Sequence, residues 1–221
     1  MSTPSIVILI SGSGSNLQAI IDAVAEGKIH ASISAVISNH PDALGLKRAQ
    51  AANIDTIVID HTEFAERSQF DQTLTNQVAK LKPDLVVLAG FMRILSEEFI
   101  TQFEERLLNI HPSLLPEFKG IQTHRRALEA NKKQHGASVH FVSNELDSGP
   151  VVIQARIPVL SDDNEKTLAE RVLQQEHVIY PIAIEWFVSG RVKLLNNQVY
   201  FDDKPIAEAA TWISNTLSLP K

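Results

Sequence analysis

Cysteine is absent from all 221 residues. This excludes disulfides, thiolate nucleophiles, cysteine-ligated zinc and iron–sulfur clusters. Long apolar runs are missing too. The opening run Ile6-Val-Ile-Leu-Ile10 is far shorter than the roughly 18–20 residues of a membrane span. No basic residue precedes it, as a secretory signal would require, so the expected compartment is the cytoplasm. Basic charge is scarce: 20 Lys+Arg stand against 26 Asp+Glu, for a net charge of -6. A phosphate-tracking nucleic-acid surface is therefore not expected. No HExxH and no tight His/Asp spacing occurs, so no metal is expected. What is present is a 44% apolar share, which builds a core and excludes general disorder.

The apolar pattern alternates between two periods. Short β-branched runs at 6–10, 33–37, 56–59 and 85–88 read as strands, with further strands at 107–110, 137–142 and 151–159. Helical spacing marks 17–24, 44–52, 64–81, 125–133 and 168–188, and Gly27 is placed to close the first helix. A hairpin is expected at 192–195 and 198–201 around Asn196-Asn197, while the tail from Trp212 looks marginal. Strands alternating with helices predict an α/β fold, with a mainly parallel twisted sheet covered by helices on both faces and a C-terminal hairpin. The reading is a single domain over 1–221, with an N-terminal lobe of about 1–105 and a C-terminal lobe of about 106–205.

Four constellations carry potential chemistry. Ser11-Gly-Ser-Gly-Ser-Asn16 lies between a buried strand and a helix start. Such a turn aims backbone N–H groups at an anion, or it is a tight turn with Ser15 or Asn16 as helix cap. It lacks the third glycine of a dinucleotide fingerprint and the Lys-Ser/Thr of a Walker loop. Asn109 and His111 are two apart at a strand end, so both side chains face one side about 6–7 Å apart. They then point to where open α/β sheets bind ligands, or they form a capped strand end with a satisfied histidine. Asp147, in Glu145-Leu-Asp-Ser-Gly-Pro150, caps its own turn or faces an imidazole. Gly90-Phe-Met-Arg-Ile-Leu95 is a packing loop or the wall of a flat ligand site.

In their order these pieces resemble one family. Ile10-Ser-Gly-Ser-Gly-Ser-Asn-Leu17, Leu88-Ala-Gly-Phe-Met-Arg-Ile-Leu95, Asn109-Ile-His-Pro-Ser-Leu-Leu-Pro116, His140-Phe-Val, Glu145-Leu-Asp-Ser-Gly-Pro150 and Gln175-Glu-His177 look like the phosphoribosylglycinamide formyltransferases. The likeness runs from about residue 6 to about residue 200 and implies a Rossmann-like formyltransferase fold. It implies transfer of a formyl group from 10-formyltetrahydrofolate to the amine of 5-phosphoribosylglycinamide, in purine synthesis. Asn109 and His111 are then oxyanion donors. Asp147 holds His111 charged or correctly oriented and assists proton transfer. Gly14, Ser15, Asn16 and Glu176 are implied to hold the phosphorylated substrate. The folate site is implied to comprise Arg67, Met92, Arg93, Ile94, Leu95, Asn109, His140, Ser143, Asn144, Glu145, Leu146 and Asp147. Two positions depart from bacterial members: Gln122, where histidine is common, and Ser148, where glycine is.

Two other readings remain at this point. One is another 10-formyltetrahydrofolate enzyme, either methionyl-tRNA formyltransferase or formyltetrahydrofolate deformylase. The other is a non-catalytic nucleotide-binding module using only the glycine turn. The expected partners are small-molecule substrates, without nucleic acid or membrane, acting on a monomer or homodimer.

Overall fold

A computed structural model describes residues 3–213 and 215–220. The chain divides into two compact units, 1–108 and 109–221. The first unit begins with β1 (Ser5–Ile10) and α1 (Ser15–Ala25), then β2 (Ser32–Ser38), α2 (Leu44–Ala51) and β3 (Thr56–Val58). It continues with α3 (Arg67–Leu81), β4 (Leu85–Leu88) and α4 (Glu97–Gln102). Strand β1 pairs in parallel with β2 and β4, and β2 with β3. Every residue from Ile6 to Ile10 is 0% exposed. Successive strand side chains point to opposite faces, so both faces of β1 are covered, which is why the run is apolar without alternation.

Strand β5 (Leu107–His111) leads into the second unit. There follow α5 (Thr123–Glu129), β6 (Gln134–Phe141), β7 (Val151–Pro158) and α6 (Glu165–Val188). Strands β8 (Val192–Leu195), β9 (Gln198–Phe201) and β10 (Lys204–Pro205) form a separate antiparallel sheet. Strands β11 (Ala210–Ile213) and β12 (Thr216–Ser218) close the chain. Strand β7 pairs antiparallel with β6 and parallel with β11. The 142–150 connection is shorter than the dozen or so residues a parallel crossover needs, so β6 and β7 must run antiparallel. Their register shifts between Val139 and His140. The fold is the expected α/β class, mainly parallel in the first unit, and the hairpin falls at the anticipated residues.

Several local expectations are corrected. Helix α1 starts at Ser15 behind a left-handed Gly14 (φ 69), with no side-chain cap, so neither Ser15 nor Asn16 caps it. Gly27 does close α1, at φ 70. The 64–81 helix is shorter: Asp60 accepts from the Thr62 N–H and caps a separate 3₁₀ turn over His61–Glu63. Phe64 is extended and sets its ring edge-on to Phe70. Helix α4 was not anticipated, although Ser96 caps it through the Phe99 N–H and Glu97 and Glu98 suit its first turn. Helix α5 lies two residues earlier than expected at its start and stops at Glu129, before the left-handed Asn131. The tail is not marginal, since β11 supplies β7 with a parallel partner and Ala210 is fully buried.

Gly136 lies on β6 opposite Arg156 of its antiparallel partner β7, and a Cβ there would stand 1.8 Å from Ala155 O. Gly136→Ala is expected to lower stability by about 2–3 kcal/mol, the scale of overpacking in a rigid core. A denaturant midpoint equal to the parent's would contradict this packing.

Candidate active site

In the first unit, the turn after β1 is held by its carbonyl oxygens. Gly12 O accepts from the Gly45 N–H at 3.0 Å, and Ser13 O from Arg48 Nε at 2.9 Å. Ser11 Oγ donates to Asn39 Oδ1 and accepts from the Met92 N–H at 2.8 Å. A Cβ on Gly14 would lie 2.5 Å from Gly45 Cα, so this close approach requires glycine. With the Gly12 and Ser13 carbonyls tied back to α2 and no side-chain cap, the turn brings the chain to the start of α1, the end of a helix that favours an anion. Gly14, Ser15 and Asn16 thus sit at one helix start, as the turn sequence suggested.

Arg67 begins α3 and reaches the next expected stretch. Its Nη2 donates to Ile94 O at 2.7 Å, and its Nε lies 3.4 Å from Asp71 Oδ2. Arg93 stacks over the Phe70 ring. Met92 and Ile94 are exposed apolar side chains, while Leu95 is buried. Two bare apolar groups beside a cation suit an amphipathic ligand.

In the second unit, β5, β6 and the turn before β7 converge. Asn109 Nδ2 lies 3.1 Å from His140 Nε2. His111 Nδ1 lies 3.4 Å from Asp147 Oδ2, and His140 Nε2 lies 3.8 Å from Asp147 Oδ1. Asp147 Oδ2 also accepts the Gly120 N–H at 2.9 Å. Asp147 therefore serves other segments rather than capping its own turn. Local capping falls to Ser143 and Ser148, which donate to Glu145 O and Leu146 O. Asp147 takes a left-handed conformation, φ 48, which a short polar residue tolerates best after glycine. Asn144, Glu145 and Leu146 are exposed on the same turn, and Glu176 is buried on α6.

Sequence reasoning missed two main-chain partners. Phe118 O lies 3.0 Å from His111 Nε2, and Gly120 N–H meets Asp147. Main-chain groups leave no side-chain signature to read. Gln122 is left-handed (φ 58) at the start of α5. Ser148 accepts a hydrogen bond from Lys119 Nζ at 2.6 Å, so this departure from glycine links the 119–122 stretch to the Asp147 turn. Among the described residues, no group of three or more His, Cys, Asp or Glu side chains is arranged to hold a metal ion.

Three histidines are pushed towards the neutral form. Burial holds His140 down to about 4, against the opposing pull of Phe141 O and Asp147. Burial, then the neighbouring His124, holds His135 down to about 4. Burial also lowers His124, whose Nδ1 lies 3.2 Å from His135 Nε2. The unfolded chain binds these protons near 6.5, and the native chain only near 4 for His135 and His140. Their contribution to stability is thus complete above about pH 6.5 and is lost as pH falls from there towards 4. On NMR titration from pH 8 to 5.5, the His135 and His140 ring resonances should hold neutral shifts. A midpoint near 6.5 for either would contradict their burial.

Residues 5–184 match the formyl transferase family. A phosphoribosylglycinamide formyltransferase of Escherichia coli (strain K12) is 52% identical over 198 residues, 90% of this chain and 93% of that one. The solved phosphoribosylglycinamide formyltransferase of Coxiella burnetii superposes with a TM-score of 0.89 at 50% identity, covering 93% of this chain and 97% of the other. A formyltetrahydrofolate deformylase from Pseudomonas syringae, at 23% identity and a TM-score of 0.84 over 90% of this chain and 66% of that one, shares the fold alone. With the match spanning both the glycine turn and the Asn109–His111–Asp147 cluster, the chain belongs to the formyl transferase family.

Proposed function

We propose that Asn109, His111 and Asp147 carry a formyl transfer from 10-formyltetrahydrofolate to the amine of 5-phosphoribosylglycinamide, a step of de novo purine biosynthesis. The transfer itself follows from relatives of that activity at up to 52% identity along nearly the whole chain. The assignment of roles rests on one observation, the convergence of an amide, an imidazole and a carboxylate in the second unit. The amine lone pair attacks the formyl carbon and its carbonyl oxygen becomes an oxyanion. Asn109 N–H and His111 Nε2–H are donors suited to that charge. The attacking nitrogen must lose a proton and the departing folate nitrogen must gain one before the C–N bond breaks. Asp147, a carboxylate paired with His111, is placed to relay that proton through water. His111 Nε2 meets Phe118 O, so donation to the oxyanion exchanges one acceptor for another. Ser113 is not a nucleophile in this reading: its Oγ donates to Glu117 O and its side chain is fully buried.

The remaining roles are part of the same proposal. The start of α1, with Gly14, Ser15 and Asn16, takes the substrate phosphate, and Glu176 a ribose hydroxyl. Arg67 and the Met92–Leu95 stretch take one part of the folate; the turn from Ser143 to Asp147, with Asn109 and His140, takes the pterin. We further propose a cytoplasmic enzyme acting on small molecules only, as a monomer or homodimer. It acts as one formyltransferase domain with a phosphate-binding lobe at about 1–105 and a folate and catalytic lobe at about 106–205.

His111→Ala should lower kcat by about 10²–10³-fold, the effect of removing one oxyanion donor, with the KM for the formyl donor within a few-fold of the parent. Near-native kcat in a folded variant would remove His111 from the chemistry. Asn16→Leu should raise the KM for 5-phosphoribosylglycinamide by roughly tenfold, the loss of about one charge-assisted hydrogen bond, and leave that for the folate unchanged. Equal changes in both constants would reduce the glycine turn to packing.

A further inference from the structure

We infer that His140 is a positioning residue for formyl transfer, which fixes the amide of Asn109 and leaves the Asp147 carboxylate to His111. The inference rests on the roles assigned above to Asn109, His111 and Asp147. His140 Nδ1 lies 2.8 Å from Phe141 O. A carbonyl only accepts, so the hydrogen sits on Nδ1. Gly149 packs its bare Cα against this carbonyl, where a Cβ would stand 1.8 Å from Phe141 O. The neutral ring then carries an open lone pair at Nε2. Asn109 Nδ2 stands 3.1 Å from it and can only donate, so the bond runs from amide to imidazole.

This removes the usual freedom of an asparagine amide to turn over. The reversed amide would set its oxygen against the Nε2 lone pair, two acceptors in contact at a 2% exposed residue. The buried cost of such a contact is that of an unmade hydrogen bond. Asn109 therefore keeps its second N–H, which has no protein partner among the described residues, in one defined direction. The same lone pair settles the carboxylate. Asp147 Oδ1 is 3.8 Å from His140 Nε2 and Oδ2 is 3.4 Å from His111 Nδ1. With no hydrogen at Nε2, His140 donates nothing to Asp147, and His111 is the imidazole that can. Asp147 and His111 are the charged or titratable groups acting on the His140 ring; burial, with His111 acting in the same sense, outweighs the Phe141 carbonyl and Asp147 in keeping it neutral.

His140→Asn and His140→Gln separate this role from packing. The asparagine amide stands in for Nδ1 and keeps the Phe141 bond, but it is too short to meet Asn109. The glutamine oxygen stands in for Nε2. His140→Asn should lower kcat by roughly 10–100-fold, the usual effect of losing a partner that orients a reacting group, with the KM for 5-phosphoribosylglycinamide within about threefold. His140→Gln should recover most of that loss. In the Asn109→Ala background, His140→Asn should cost nothing further, because the group it orients is gone. Parent-like kcat in folded His140→Asn would overturn the inference. So would a loss that multiplies with that of Asn109→Ala, or equal losses in the Asn and Gln variants. Parent-like kcat in Asn109→Ala alone would instead overturn the role assigned to Asn109, and this inference with it.

Discussion

A carboxylate taken almost out of water is stable only if its charge is answered, and the second unit is organised around one such group. The Asp147 side chain is 10% exposed. One oxygen accepts a main-chain N–H from Gly120 and faces His111, and the other faces His140. Those contacts come from the 112–122 stretch, from β5 and from β6. Remove the charge and three segments lose their common partner. The left-handed backbone at Asp147 is the local cost of aiming that carboxylate away from its own turn.

The two imidazoles beside Asp147 are made unlike by what lies behind them. His140 donates its Nδ1–H to Phe141 O and is buried, so it remains a neutral ring with an acceptor at Nε2. His111 has acceptors facing both nitrogens, Asp147 and Phe118 O. Of the two imidazoles, only His111 can therefore donate to the carboxylate. The first unit solves a different problem, the holding of a tight turn at the start of α1. It does so by consuming the carbonyls of the turn with α2 and by leaving two glycines in contact.

Local patterns carried most of the architecture. The β-branched run from Ile6 to Ile10 announced a strand buried on both faces, and Asn196-Asn197 announced its hairpin. The failures share a cause. Phe64 left its helix because Asp60 found Thr62 and because its ring had Phe70 to pack on. Trp212 joined a strand because β7 offered an unpaired edge. Each depends on a partner outside the window that a periodicity can read.

The site divides along the same line. Sequence alone determined which side chains are available: a glycine turn before a helix, Asn109 and His111 on one face of a strand, and a carboxylate in a later turn. These follow from the two-residue period of a strand and from the side chain that each position carries. Tertiary structure decided whom Asp147 faces, that Phe118 and Gly120 enter through their main chains, and that His140 stands behind Asn109 as a neutral acceptor. Those outcomes were set by distance and burial between segments remote in the chain, and neither quantity is encoded in any local pattern of residues.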